Sequence, residues 1–300
     1  MTRLGDVVVP RPLRRGDRVA IVAPSGHFPH VIVWRGLSVL RERYRLRFDR
    51  GLFARSTYLA GDDERRRGEL ASALADDDVA AIIAARGGYG ANRFVHELDW
   101  SRLRERPKWI VGFSDITALH VEAARVGVAT LHASHVTALG WCDRAGRASL
   151  LRALEDPLAP RRFDGLAGWV PGEAEGPLFG GNLALLHACA AAGRLAVPDG
   201  AVVFIEDIGE RPYRLDRMLT TLVVGGHLAR VRAVALGDFT DCHPGPDGAT
   251  ALDVVRGIVG RLGVPVVAGV PAGHSLRNEP LVLGVRARVT AAGGGGALEV

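Results

Sequence analysis

The first half of this 300-residue chain alternates short, almost continuously apolar runs with amphipathic stretches. Strands that are apolar along their whole length are typical of parallel sheets, because helices cover such a sheet on both faces. The pattern therefore predicts an α/β fold in which residues 1–140 form a flavodoxin-like or Rossmann-like N-terminal domain. The predicted strands span 18–23, 46–48, 79–85, 108–112 and 128–131, and the predicted helices span 30–44 and 62–74, with two more beginning near Asn92 and after Ser114.

The second half of the chain carries a similar pattern after an interruption. Between Trp141 and Glu175 the periodicity fades and turn-forming residues recur, which predicts a linker over 141–175. Residues 176–300 are predicted to form a C-terminal β/α domain, in which Gly293–Gly296 is a flexible turn. The predicted helices of this domain begin at Gly180-Gly181-Asn182, Pro212 and Thr250, and its predicted strands span 201–206, 232–236, 265–270 and 281–289.

Ser114 lies where an apolar run, Trp109–Val111, changes abruptly into a helical pattern. A side chain on a sharp strand-to-helix turn is lifted off the edge of the sheet, and the first N–H groups of the helix lie beside it, where they could bind a developing oxyanion. Serine followed by Asp115 is also an ordinary helix cap. On this segment alone, Ser114 is either a nucleophile or a cap.

Two further polar residues follow predicted strands closely. Glu206 ends the run 201–206, and His274 comes soon after the run 264–270. Ligands of α/β sheets bind at the carboxyl ends of strands, a serine hydrolase needs these three side chains together, and the order Ser, Glu, His is a known triad order. Because Ile116 stands where G-x-S-x-G requires its second glycine, the spacing predicts a triad on a scaffold other than the α/β-hydrolase fold, in a cleft between the two domains.

The acid of this triad has alternatives. Glu206 could instead form an ion pair with Arg211 or Arg214, and Asp207 competes for the same role. Adjacent residues of a strand face opposite ways, so only one of the two acids can point at the cleft.

The glycine-rich turn Arg86-Gly87-Gly88-Tyr89-Gly90 follows a buried strand. Its glycines allow the backbone to approach a ligand closely or to adopt positive φ angles. A phosphate-binding turn is the alternative, but the spacing fits neither G-x-G-x-x-G nor a P-loop with its lysine.

Composition excludes several classes of function. The net charge of +5 comes from scattered arginines interleaved with acids, with Lys108 the only lysine, so nucleic-acid binding is not predicted. The three cysteines form no C-x-x-C pair, and no apolar run has the length of a signal or membrane segment, which together predict a cytoplasmic protein. His132-x-x-His135 and the group Asp238, Asp241 and His243 lack a motif that places a third ligand, so no metal site is predicted.

Five blocks of the sequence give a combined signal: Arg86–Gly90, Gly112–His120, Gly180–Leu183, Ile205–Asp207 with Tyr213–Leu219, and Gly273-His274. Together they resemble the LD-carboxypeptidase family, whose members include serine peptidases of murein recycling and microcin C immunity hydrolases. The resemblance runs from about Arg18 to Gly284 in the family's order and approximate spacing.

The resemblance implies a catalytic function for these residues. Ser114 would be the nucleophile, His274 the general base and Glu206 the acid that orients it, while the N–H groups of Gly88 and Asp115 would form the oxyanion hole. It also implies a cytoplasmic homodimer that needs no cofactor and removes the terminal D-alanine of a murein tetrapeptide.

Four residues are candidates for contact with the substrate. Arg86 could clamp a terminal carboxylate or form a structural ion pair, Asn182 could contact the substrate or cap a helix, and Tyr89 and Trp141 are further candidates. The family commonly has a Gly-Pro-Met type segment after the equivalent of His132, where this chain has Ala133-Ser134-His135, so the substrate preference and the roles of His132 and His135 stay open.

Two alternative functions are considered. One is a peptidyl-nucleotide hydrolase with Trp141 or Trp169 as its stacking platform, and the other is a non-catalytic module that binds a peptide or sugar.

Overall fold

The computed structural model describes residues 2–4 and 7–300, which divide into two compact units. Unit 1 extends to Ala159 and takes in Glu279–Val282, and unit 2 consists of Pro160–Asn278 and Leu283–Val300. Each unit combines a β-sheet with helices, as the predicted α/β class requires.

Unit 1 is built on a parallel sheet with the strand order β13-β7-β6-β5-β3-β4. The pairings from β4 through β3, β5 and β6 to β7 are all parallel, and the central strands are almost wholly buried, as continuous apolar runs predict. The elements are β1 (Thr2–Leu4), β2 (Val7–Val9), β3 (Arg18–Val22), α1 (His30–Arg41), β4 (Arg45–Arg47), α2 (Asp63–Ala75), β5 (Val79–Ala84), α3 (Ser101–Glu105), β6 (Trp109–Gly112), α4 (Thr117–Arg125), β7 (Thr130–His132), α5 (Val136–Trp141), α6 (Arg144–Glu155) and the late strand β13 (Leu281–Leu283).

The helix predicted from Asn92 is not formed. The chain makes two 3-10 turns, Ala91–Arg93 and Val95–Glu97, before the short helix α3. The residue between the turns, Phe94, has a φ of −143°, which a helix does not accommodate, and the indole of Trp100 donates a hydrogen bond back to the carbonyl of Val95 at 2.8 Å. Phe94 and Trp100 are both buried, so tertiary packing overrides the local helical pattern.

The segment 141–175, predicted as a linker, is largely regular structure. It contains α6, a strand at 162–170 and the start of another, and the two units divide within it after Ala159. The turn-forming residues stand at the ends of these elements: Asp143 caps α6 by accepting a hydrogen bond from the N–H of Gly146 at 2.8 Å, and Asp156-Pro157 follows its last residue. Residues that predict a loop here delimit helices and strands instead.

Unit 2 is a closed barrel of seven strands in the order β10-β11-β12-β8-β15-β14-β9. Its strands from β9 through β10 and β11 to β12 pair in parallel, which matches the β/α domain predicted from the sequence. The remaining pairings are antiparallel and were not predicted. The elements are β8 (Arg162–Val170), β9 (Gly172–Asn182), α7 (Leu183–Ala191), β10 (Val202–Ile208), α8 (Pro212–Val224), β11 (Ala233–Thr240), α9 (Ala251–Val259), β12 (Val266–Ala268), β14 (Arg286–Ala292) and β15 (Gly295–Glu299).

Two features of the C-terminal segment differ from expectation. The predicted strand 281–289 is divided at Gly284, whose φ of +92° favours glycine, into β13 of the first sheet and β14 of the barrel. The predicted turn Gly293–Gly296 is shorter, because Gly295 and Gly296 already belong to β15 and pair with β14.

Within the described residues, no helix combines the length and the apolar character that crossing a membrane requires.

Candidate active site

Ser114 lies on a tight turn between a strand and a helix of unit 1. β6 ends at Gly112, a 3-10 turn spans Ser114–Ile116, and α4 begins at the next residue. The φ angle of Ser114 is +64°, a conformation that costs a non-glycine residue on the order of 1–3 kcal/mol and that clusters at functional sites. Helix α4 has Ile116 as its N-cap residue, without a side-chain cap. Ser114 therefore does not take the capping role that was its alternative.

Two histidines support this turn. The ring of His120 is buried, which lowers its pKa to about 4, so the neutral ring uses Nε2–H to donate to the carbonyl of Gly112 at 3.0 Å. The ring of His135 stacks on Phe113, with 4.6 Å between the ring centroids. Nδ1 of His135 also accepts a hydrogen bond from the N–H of Ala138 at 3.1 Å and so caps α5. The backbone on both sides of Ser114 is therefore supported by a histidine side chain.

The glycine-rich turn after β5 packs directly against Ser114. A Cβ placed on Gly87 would lie 2.8 Å from Cβ and 3.0 Å from Oγ of Ser114, closer than such atoms normally approach. Gly88 has a φ of +107° and Gly90 a φ of +131°, which explains why glycines occupy these positions. The N–H of Gly26 donates to the carbonyl of Gly87 at 3.1 Å. The predicted oxyanion turn is thus a neighbour of the predicted nucleophile within one unit.

Asp115 joins the turn that carries Ser114 to the glycine-rich turn. Its side chain is completely buried, and Oδ2 accepts a hydrogen bond from the N–H of Ala91 at 2.8 Å. Burial raises the pKa of Asp115, while the Ser25 hydroxyl and the N–H of Ala91 oppose that rise. The sequence predicted a role only for the N–H of Asp115. Its carboxyl group links the turn that carries Ser114 to the glycine-rich turn by accepting a hydrogen bond from the N–H of Ala91.

The predicted substrate contacts of unit 1 differ in exposure. Arg86 is half-buried and donates a hydrogen bond to the carbonyl of His27, so it anchors the neighbouring loop. The ring of Tyr89 is 50% exposed and lies 6.0 Å from that of Tyr58, which is also exposed. Trp141 ends α5 and is 69% exposed. The two tyrosines and Trp141 are therefore free to meet a ligand from solvent.

Unit 2 contains the predicted acid–base pair. Nδ1 of His274 and Oε2 of Glu206 lie 2.6 Å apart, the Glu206 side chain is fully buried, and that of His274 is 12% exposed. The two arginines considered as alternative partners of Glu206 have other neighbours. Arg214 pairs with Glu210 at 3.6 Å, and the guanidinium of Arg211 points toward the carbonyl of Pro244. Because Nδ1–H donates to the carboxylate, Nε2 is the nitrogen of the neutral His274 ring that carries no proton.

Asp207 faces away from His274 and serves the fold. Its Oδ1 accepts from Nδ2 of Asn182 at 2.9 Å, and its Oδ2 accepts from the N–H of Ala184 at 3.0 Å. Asn182 caps α7 through the N–H of Leu185 at 3.2 Å, which is the structural alternative considered for it. Burial, followed by the charge of Glu206, raises the pKa of Asp207 to about 7. The alternation along β10 thus separates the two acids as predicted.

The pKa of His274 is raised above its ordinary value. Burial alone would lower it, but the hydrogen bond and the charge of Glu206, with smaller contributions from Asp207 and Asp238, outweigh burial. The imidazolium form is therefore stabilised, as a general base requires when it takes a proton from a nucleophile.

Trp169, one of the two predicted stacking platforms, lies on β8 with the guanidinium of Arg256 over its ring at 5.6 Å from the centroid. One face of this indole is therefore covered. The other predicted platform, Trp141, has no such cover among the described contacts.

Sequence reasoning missed two contributions to these turns. The sequence predicts that the glycines of the turn 86–90 admit a ligand or positive φ angles, but it does not reveal that the lack of a side chain at Gly87 makes room for Ser114. The buried Arg66, which donates to the carbonyl of Pro24 at 2.5 Å, lies in the predicted helix 62–74, but the sequence assigned it no role. The only available signal for the latter was its place on the apolar face of α2, four residues before Leu70.

The chain matches the two domains of a known family. The LD-carboxypeptidase N-terminal domain matches residues 19–133, and the LD-carboxypeptidase C-terminal domain matches residues 175–289. The murein tetrapeptide carboxypeptidase of Pseudomonas aeruginosa is 33% identical over 282 residues, which cover 87% of this chain and 89% of that protein.

Solved structures show the same similarity. The muramoyltetrapeptide carboxypeptidase of Oxalobacter formigenes is 28% identical with a TM-score of 0.83, and the alignment covers 94% of this chain and 98% of that one. An MccF-like protein of Bacillus anthracis is 20% identical with a TM-score of 0.85 over 98% of this chain and 99% of that one, a likeness of fold alone. From the two matching domains and these relatives, we conclude that the chain belongs to the LD-carboxypeptidase family and is a serine-type carboxypeptidase.

Proposed function

We propose that this protein removes the terminal D-alanine from murein tetrapeptides by cutting an L,D-peptide bond, and that it does so in the cytoplasm during peptidoglycan recycling. Support for a murein substrate comes from the Pseudomonas relative, a murein tetrapeptide carboxypeptidase that is 33% identical to this chain. The alternative, a peptidyl-nucleotide substrate, has support only from neighbours that are 20% identical, so the murein peptide is the better-supported choice.

The catalytic residues in this proposal are Ser114, Glu206 and His274. Nε2 of His274 takes the Ser114 proton as Oγ attacks the scissile carbonyl, and the resulting imidazolium is stabilised by Glu206. His274 then gives the proton to the departing amino group of D-alanine, which leaves an acyl-enzyme for water to hydrolyse. The N–H groups of Gly88 and Asp115 bind the oxyanion, while Arg86, Tyr89 and Trp141 contact the peptide.

The observation that carries the proposal is the 2.6 Å pair between His274 and the fully buried Glu206. Burying a carboxylate beside an imidazole costs desolvation free energy, and such pairs cluster at functional sites. The positive φ of Ser114 is strain of the kind that active sites retain. Unit 1 thus supplies a nucleophile, and unit 2 supplies a base with the acid that orients it.

The test is an assay of the purified protein with murein tetrapeptide in the presence of a metal chelator. We expect release of one D-alanine per peptide, detected by chromatography, and no release from the diastereomer with a terminal L-alanine. A fluorophosphonate should label Ser114, and His274→Ala should greatly slow that labelling, because the serine then lacks its base. Failure of release, or labelling that does not depend on His274, would contradict the proposed triad.

Gly87→Ala should lower kcat/KM by about 10²-fold. The added methyl group would lie 3.0 Å from Oγ of Ser114 and 3.1 Å from the carbonyl of Phe113, so it displaces the nucleophile, and displacements near 1 Å cost about that factor. Steady-state kinetics would measure the effect. Gly68→Ala is the matched control, because Gly68 lies in α2 with no atom within 4 Å of the position of its Cβ, and it should keep wild-type kinetics. Wild-type kinetics in Gly87→Ala would show that the turn does not constrain Ser114.

The pH profile of kcat/KM should have an acid limb above the ordinary histidine pKa of about 6.5. Only neutral His274 can accept the serine proton, and its raised pKa in the folded protein keeps the ring protonated to a higher pH. Activity should therefore rise as the pH increases through this raised value. Because Glu206 raises the pKa, Glu206→Gln should move the limb to lower pH. If the acid limb keeps its position in Glu206→Gln, the limb reports the titration of a group other than His274.

A further inference from the structure

One of the two proposed oxyanion donors is oriented by a hydrogen bond on the opposite side of its own peptide group. The carbonyl of Gly87 and the N–H of Gly88 belong to the same peptide group, which is trans, so they point in opposite directions. The carbonyl of Gly87 accepts a hydrogen bond from the N–H of Gly26 at 3.1 Å. Rotation of the peptide group would break this bond, so whatever holds Gly26 in place also aims the N–H of Gly88.

Gly26 ends a short segment, residues 23–26, that follows β3 and is fastened to helix α2. Two side chains of α2 bind the backbone of Ala23, the first residue of the segment. Oε2 of Glu69 accepts from the N–H of Ala23 at 2.6 Å, and Nη2 of Arg65 donates to its carbonyl at 2.8 Å. The start of the segment is therefore fixed by α2.

The guanidinium of Arg66 joins this segment to the glycine-rich turn. The side chain is fully buried, and its Nη1 donates to the carbonyl of Pro24 at 2.5 Å. A Cβ placed on Gly90 would lie 2.6 Å from the same nitrogen. Nη2 pairs with Asp63, and the ring of Phe94 lies with its centroid 5.1 Å from Cζ of Arg66. A planar group with partners on these sides keeps one orientation, so Arg66 holds the segment and the turn together.

The segment also reaches the second proposed oxyanion donor. Ser25 lies between Pro24 and Gly26 and is fully buried. Burial raises the pKa of Asp115, and the hydroxyl of Ser25 opposes that rise, which places this hydroxyl beside the carboxyl group of Asp115. An apolar side chain would often fill the site of a buried charge without loss of stability. What Arg66 adds to packing is the fixed position of the Pro24 carbonyl, two residues before Gly26.

We propose that Arg66 is a positioning residue for the oxyanion hole. It holds the segment 23–26 so that the N–H of Gly26 binds the carbonyl of Gly87 and the N–H of Gly88 faces the oxyanion. Arg66 is fully buried and acts through the backbone alone. The inference rests on the proposed function, because it needs Gly88 to donate to the oxyanion.

The test is Arg66→Met, which removes the donor to the carbonyl of Pro24. Asp63 keeps its ion pair with Arg93 at 2.7 Å, so the variant leaves that acid with a partner. Loss of a whole oxyanion donor costs about 10²- to 10³-fold in kcat, so a misdirected donor should cost about 10- to 100-fold in kcat, with KM unchanged. Steady-state kinetics on murein tetrapeptide would measure both values.

A peptide boronate provides the readout that is specific to the oxyanion hole. Boron replaces the scissile carbonyl carbon and forms a tetrahedral adduct with Ser114, in which one oxygen takes the place of the oxyanion. Its Ki should rise in Arg66→Met by the same factor by which kcat falls. A purely structural role of Arg66 would instead lower Tm and the final number of sites that a fluorophosphonate labels, while the remaining sites keep the wild-type Ki. That result would overturn the proposal.

Two further substitutions in α2 sharpen this test. Arg66→Lys should lose less than Arg66→Met, because an ammonium group can still donate to the carbonyl of Pro24. Arg67→Met is the matched control, since it makes the same change at the next residue, whose exposed side chain pairs with Glu97. It should keep the wild-type kcat and Ki. Equal losses in Arg66→Met and Arg67→Met would overturn the proposal.

Gly26→Ala acts on the same peptide group and leaves α2 intact. Its Cβ would lie 3.3 Å from the carbonyl oxygen of Gly87 and 3.4 Å from that of Tyr58, which is tighter than ordinary contact. The Gly87 carbonyl should therefore shift, and the Ki of the boronate should rise by about tenfold with KM unchanged. Should Arg66→Met fail to fold, an unchanged Ki in both Gly26→Ala and Arg66→Lys would overturn the proposal.

The rate of fluorophosphonate labelling separates this inference from the proposed function, because the phosphoryl oxygen occupies the oxyanion hole whatever the natural substrate is. If the wild-type protein released no D-alanine but Arg66→Met were labelled about 10- to 100-fold more slowly than Arg67→Met, the positioning role would stand and the proposed substrate would be wrong. If both variants released D-alanine and were labelled at the wild-type rate, the positioning role would fall and the proposed function would stand.

Discussion

Replacing Ser114 with alanine should lower kcat/KM for D-alanine release by about 10⁴-fold or more, because no acyl-enzyme can then form. The loss should appear in kcat, since the change removes the attacking atom and leaves the neighbouring turns in place. The φ of +64° at this position is as unfavourable for alanine as for serine, so the free energy of unfolding should change little. Single-turnover kinetics with chromatographic detection of D-alanine would measure the effect.

The matched control for this variant is Ser38→Ala. Ser38 is an exposed residue of α1 whose hydroxyl donates to the carbonyl of Trp34 at 2.8 Å, and its loss should leave the kinetics unchanged. If Ser114→Ala kept a substantial part of the wild-type rate, the reaction would be proceeding without the proposed nucleophile. A protein that binds the peptide but resists fluorophosphonate labelling would instead support a non-catalytic binding module.

Much of unit 1 follows from its sequence because its strands are buried on both faces. The runs that form β3, β5 and β6 are apolar at nearly every position, and a parallel sheet between helices is the arrangement that buries them. The positive φ of Ser114 and the close approach of Gly112 to Ile116 do not follow from the pattern. A Cβ on Gly112 would lie 2.7 Å from Cγ1 of Ile116, and sequence periodicity carries no information on such a contact.

The antiparallel half of the barrel escaped prediction for a different reason. Strands β8, β9 and β15 contain glycine at many positions, and glycine within a segment of mixed polarity is a signal for turns and loops. In the barrel, Gly176 lies so close to its neighbour that a Cβ would be 1.8 Å from the carbonyl oxygen of Gly200. Glycine here permits two backbones to approach, a long-range cause that local patterns do not reveal.

The acid–base pair was partly predictable. Alternation along β10 requires Glu206 and Asp207 to face opposite ways, but it does not say which of them faces His274. The choice is made by α7: its first turn offers the N–H of Ala184 and the amide of Asn182 to Asp207, so Asp207 is occupied there and Glu206 is left for His274. Which of the two acids pairs with His274 is therefore determined by α7, whose start binds Asp207.

Glu206→Gln should lower kcat by about 10³- to 10⁴-fold while the fold is retained. The amide has nearly the shape of the carboxylate but carries no charge. It therefore no longer stabilises the imidazolium form of His274 or fixes the tautomer in which Nε2 carries no proton. The loss should be in kcat more than in KM, because the buried side chain faces His274 and has no exposed surface. Kinetics at several pH values would separate loss of the base from a shift of the acid limb.

Asp207→Asn is the matched control for the Glu206 variant, since it makes the same chemical change one residue further along β10. Its Oδ1 can still accept from the amide of Asn182, and only the acceptor for the N–H of Ala184 is lost. We expect less than about a tenfold change in kcat, with the main effect on Tm, because the cost of losing one buried hydrogen bond is about 1–3 kcal/mol. Should Asp207→Asn abolish activity while Glu206→Gln spares it, the orienting role would pass to Asp207, and the 2.6 Å pair of Glu206 with His274 would be a structural contact.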